Sequence, residues 1–96
     1  MKTFVLLHYG FEKPTPEIMS AWGKWFEAIK DNIIDMGGHF SRGREISKAG
    51  TKELPLGLES ITGFTIVNAA SLDDAEKMVQ GNPFISSIRV YEVRSG

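Results

Sequence analysis

Apolar and polar positions along this chain follow two different periods, and the switches between them divide it into strands and helices. Thr3 to Tyr9 is β-branched, aromatic and apolar, and short enough for a buried strand rather than a helix. Gly10 ends it, and residues 11–14 form a connection. Thr15-Pro16 then opens a helix: threonine caps it, and proline takes the first helical position, where its missing N–H costs nothing. Glu17 follows in the first turn, where the helix dipole favours negative charge. Ile18, Trp22, Trp25, Phe26, Ile29, Ile33 and Met36 recur at spacings of 4, 3, 1, 3, 4 and 3, one apolar stripe at helical period. The spacing predicts a helix from Pro16 to about Met36, with Gly37-Gly38 as its left-handed stop.

A second strand is expected from His39 to about Ile46, with Gly43 weakening or bulging it. Ala49-Gly50 is a turn, and Lys52 to Leu58, holding Pro55 and Gly57, has the composition of a loop. The whole Ser47–Glu59 stretch is the best candidate for a lid or an interface arm. Ile61 to Asn68 predicts a third strand. Ser71 caps a short second helix that turns Leu72, Ala75 and Val79 inward and stops at Gly81-Asn82-Pro83; Ser86 to Arg94 is the last strand. The element order is β-α-β-β-α-β. Two right-handed βαβ units of this kind interleave into a four-stranded antiparallel sheet with both helices on one face, a ferredoxin-like α+β fold spanning residues 1–96 as one domain. The opposite sheet face is left bare with apolar residues on it, and the expected cover is the same face of a second copy, giving a homodimer built as an α/β barrel.

Bulk composition narrows the function classes. Eleven basic against twelve acidic residues leave a net charge of −1, without the basic excess that phosphate contacts demand, so nucleic acid is not an expected partner. The absence of cysteine excludes disulfides, thiolate catalysis and sulfur-ligated metals. No apolar run reaches the ~18 residues that span a membrane. The basic-then-apolar start lacks a small-residue cleavage site, so a cytoplasmic location is the expectation.

Candidate chemistry is sparse. His8, near the end of the first strand, and His39, at the start of the second, are the only side chains that titrate near neutrality when unperturbed. Either, bordering a pocket, is a candidate general acid or base, with Glu92, Glu45 or Asp35 as candidate orienting carboxylates; His8 is the stronger catalytic candidate. Two histidines without a third nitrogen ligand or i, i+4 spacing make no recognisable metal site. Trp22 and Trp25 lie on the packing stripe, either as core anchors or as a wall on which a planar ligand stacks. Arg42 and Arg44 would share a strand face, where a guanidinium pair at a pocket mouth suits a carboxylate and a solvated strand edge is the plainer reading.

Tyr9-Gly10, Thr15-Pro16-Glu17, Ala21-Trp22-Gly23-Lys24-Trp25, Gly63-Phe64-Thr65-Ile66, Ser71-Leu72-Asp73-Asp74-Ala75, Asn82-Pro83 and Tyr91-Glu92-Val93-Arg94, in that order and spacing, resemble the YCII-related family over essentially the whole chain. The resemblance implies a dimeric ferredoxin-like barrel with a pocket between sheet and helices, and some relatives that process lactones or dehalogenate aromatic compounds. Two family signatures are missing: the first helix has no histidine, and Pro55-Leu56-Gly57-Leu58-Glu59 stands where one branch has Asp-Gly-Pro-Phe. Neither set of functional residues carries over. Three readings follow. One is an enzyme without a cofactor acting on a small aromatic or lactone-like acid, with His8 as acid/base, Arg42 on the carboxylate, and Trp22, Trp25 and His39 around the ligand. The others are a non-catalytic small-molecule binder and a structural dimer module.

Overall fold

The computed structural model describes residues 1–94. Its elements are β1 (Lys2–Tyr9), α1 (Pro16–Ile29), β2 (Ile33–His39), β3 (Gly43–Ser47), β4 (Gly50–Leu54), β5 (Ile61–Ala69), α2 (Leu72–Val79) and β6 (Ser87–Glu92). Strands β2, β5, β1 and β6, in that order, form one antiparallel sheet, and β3 pairs with β4 in a separate hairpin. The expected α+β architecture is present: a four-stranded antiparallel sheet carrying two helices on one face.

Alternation along the two central strands places the core. Phe4, Leu6 and His8 of β1 and Gly63, Thr65, Val67 and Ala69 of β5 point to the helices, as the period of two requires. Trp25 and Ile29 from α1 and Ala75 from α2 close over them. Fully burying an aliphatic or aromatic side chain such as Phe4, Leu6 or Val67 contributes roughly 1.5–3 kcal/mol each. Both helix starts form as expected: the Thr15 hydroxyl accepts from the Ile18 N–H at 3.2 Å, and the Ser71 hydroxyl from the Asp74 N–H at 3.1 Å.

The first helix is shorter than its stripe predicts. It ends at Ile29, Lys30–Asn32 form one 3-10 turn, and residues 33–38, expected to finish the helix and its stop, belong with His39 to strand β2. The Asn32 side-chain N–H donates to the Asn68 backbone oxygen at 3.1 Å and to its side-chain oxygen at 3.0 Å, tying the turn to β5. From there Ile33 pairs with Val67. Gly37 serves a bulge in β2 instead of a helix stop: at φ +77 it passes so close to β5 that an added Cβ would overlap the Phe64 carbonyl.

The expected second strand is thereby displaced. Gly43–Ser47 leaves the main sheet and pairs with Gly50–Leu54, part of which was expected as loop. Every residue of this hairpin is solvent-exposed. Its Arg44 reaches Glu53 at 2.7 Å across the ladder.

Candidate functional site

Both β1 and β2 run antiparallel to β5, so they are parallel to each other and end at the same edge of the sheet. His8 and His39 therefore flank Gly63 from either side, on the face that carries the helices. Had β2 begun at His39, the two histidines would not share a strand end. Thr62 is the extra residue of a bulge between β1 and β5, where its hydroxyl donates to the His8 and Gly10 carbonyls and its own carbonyl accepts from the Phe40 N–H. That bulge turns the strand ends around the histidines.

A cavity of about 180 Å³ lies over Gly63, walled by Trp22 and Phe26 of α1, Met36, Phe64, and the two histidines. It shares His8, Trp22, Phe26, His39 and Thr62 with a wider hollow of about 520 Å³ that runs along α1 toward Phe11 and Phe84. An apolar cavity of ~150 Å³ is enough to hold benzene.

His8 is 8% exposed and is the polar centre of this space. Its Nε2 lies 2.9 Å from the Thr65 hydroxyl, which in turn donates to the Met36 carbonyl at 3.5 Å. In the tautomer whose Nε2–H donates to Thr65, freeing that hydroxyl's proton for Met36, Nδ1 is an acceptor. Nδ1 is buried and has no hydrogen-bond partner among the described residues. Burial, and then the nearby His39 charge, lower the His8 pKa from 6.5 to about 4, so the ring is neutral at pH 7. The Trp22 indole meets it edge-on with centroids 5.0 Å apart. The group orienting His8 is thus Thr65, not a carboxylate; Glu92 instead faces Lys2 at 3.8 Å, Asp35 accepts from the Gly37 N–H, and Glu45 is on the hairpin.

The remaining predicted site residues separate into two groups. His39 and Trp22 line the cavity together with His8. Trp25 does not: it is 4% exposed, and its indole N–H donates at 2.7 Å to the Met78 carbonyl, an end-of-helix acceptor that lacks an intrahelical partner. Trp25 is the core anchor that joins α1 to α2. Arg42 is also elsewhere. It precedes β3 and, together with Arg44, lines a separate open hollow between the hairpin and the sheet end. Among the described residues no arginine or lysine lines the His8 cavity, and Glu12 borders its wider part. Thr65 and Gly63 are the site residues that sequence reasoning missed; alternation along β5 puts both on the helix-facing side, but only the cross-strand register brings them to His8.

The fold and this cavity define a ferredoxin-like α+β protein with an aromatic pocket between sheet and first helix. No protein-family model and no curated protein matches the chain. Among solved structures it is similar to 5-chloro-2-hydroxyhydroquinone dehydrochlorinase (TftG) from Burkholderia phenoliruptrix AC1100 in complex with 2,5-dihydroxybenzoquinone, with a TM-score of 0.58 and 15% identity over 98% of this chain and 95% of that one. At that identity the likeness shows a shared fold.

Proposed function

We propose that this protein binds a small, uncharged, hydroxylated aromatic molecule in the cavity between the sheet and α1. The observation that carries the reading is the buried, unpartnered Nδ1 of neutral His8 inside an aromatic wall. A buried acceptor without a partner costs roughly 1–3 kcal/mol, which a ligand hydroxyl recovers by donating to it. An uncharged ligand is favoured over an acid because, among the described residues, no arginine or lysine lines the cavity to pair with a carboxylate. An aromatic ligand agrees with the dihydroxybenzoquinone bound by the dehydrochlorinase of the same fold. Membership of the YCII-related family and assembly as a homodimer complete this reading, and no cofactor enters it.

Isothermal titration calorimetry with phenol tests it. Saturable binding by the wild type, lost on His8→Phe while far-UV circular dichroism is unchanged, is the expected result. Equal phenol affinity in His8→Phe, or no binding by the wild type, overturns it.

Conversion of the bound ring is the second reading, favoured by the dehalogenating activity named for that structural neighbour. His8 would act there as a weak base. Its activity would rise through pH ~4 and stay flat above pH 6.

A further inference from the structure

We propose that the cavity selects rings carrying two hydroxyl groups, one donated to Nδ1 of His8 and the other engaged by His39. This deepens the binding reading above and rests on it. The two histidines take register positions on either side of Gly63, so their Cα atoms stand two strand spacings apart, on the order of 10 Å. Gly63 contributes no side chain between them, and a Cβ there would come within 2.8 Å of the Gly38 carbonyl oxygen and 3.7 Å of His39 Nδ1. The His39 ring therefore overhangs the same bare floor that His8 borders.

The two imidazoles differ in what they offer. His8 lines the cavity with Nε2 engaged by Thr65 and with Nδ1 buried and unpartnered among the described residues. His39 is exposed at the cavity edge, where its ring nitrogens can hydrogen-bond a second oxygen. Trp22 and Phe26 supply apolar walls, and among the described residues the two histidines are the titratable groups that line this space. A ring with one hydroxyl satisfies His8 alone. A ring with two reaches both, and its substitution pattern follows the distance between the imidazole nitrogens.

Calorimetric titration of the full chain with phenol, catechol, resorcinol and hydroquinone tests this, alongside the His39→Ala and His39→Gln variants. One net hydrogen bond corresponds to about five- to tenfold in affinity. At least one dihydroxybenzene should exceed phenol by that factor in the wild type. His39→Ala should remove the advantage of the dihydroxybenzene over phenol, and His39→Gln should restore part of it. Equal binding of phenol and all three isomers by the wild type overturns the inference but keeps the pocket. So does a His39→Ala variant that retains the full advantage or weakens phenol equally. Failure of phenol and every isomer to bind overturns the pocket reading as well.

Discussion

Burial makes His8 a base held neutral, and the cost of that arrangement is set by pH. The unfolded chain binds a proton on His8 below pH 6.5, whereas the folded chain does so only near pH 4. Between those values the unfolded state holds more protons, so stability falls as pH falls from 6.5 toward 4 and levels off below. The full effect is on the order of 3 kcal/mol. Urea midpoints taken from pH 7 to pH 4 should drop more steeply for the wild type than for His8→Leu; parallel curves would show that His8 titrates normally in the folded protein. The two tryptophans give a second residue-scale prediction. Trp25→Ala should lose ~3–5 kcal/mol in urea denaturation, since a buried indole and its bond to Met78 both go. Half-buried Trp22→Ala should lose roughly 1–2 kcal/mol and weaken phenol binding instead. The stripe alone could not separate the two. Both indoles lie on it, and which one reaches the core depends on α2, whose position the local pattern does not encode.

At the scale of elements, the hairpin is the least supported part of the chain. β3 and β4 pair with each other, expose every residue and lie outside the main sheet. Two strands without a packed face are marginal in water. Hydrogen exchange should therefore open the β3 and β4 amides first and the β1 amides last, because β1 is paired on both sides and buried along one face. Equal protection in the hairpin and β1 would mean that something covers the hairpin. The same region shows where the sequence misled. Ile33 and Met36 continue the helical spacing of α1, so periodicity alone extends the helix across them. What ends it is long-range: the Asn32 bonds to Asn68, the ladder to β5, and the close passage of Gly37 against Phe64. Caps, by contrast, are local, and Thr15 and Ser71 were legible. His8 as a buried site candidate was legible from strand alternation, but its meeting with His39 depends on where β2 ends.

At the scale of the whole molecule, the helices cover one side of the sheet and leave the other to solvent. Val5, Leu7 and Tyr9 of β1, Ile66 of β5 and Tyr91 of β6 alternate with the core positions and form that bare face, with Arg89 lying over the Tyr9 ring at 4.7 Å. The chain is also extended for its length: its radius of gyration is 14.4 Å, against about 12.5 Å expected for a domain of this size. A half-buried apolar sheet face on a small chain is a surface that the homodimer proposed above would cover, two copies meeting face to face. Sedimentation equilibrium at micromolar concentration should give twice the 10.7 kDa chain mass. Ile66→Lys puts a charge in the middle of that face and away from the His8 cavity, so it should yield a monomer with wild-type circular dichroism that still binds phenol. A monomeric wild type would show that the sheet face stands in water unaided. A dimeric Ile66→Lys would move the contact to the exposed hairpin, the other large surface the fold leaves uncovered.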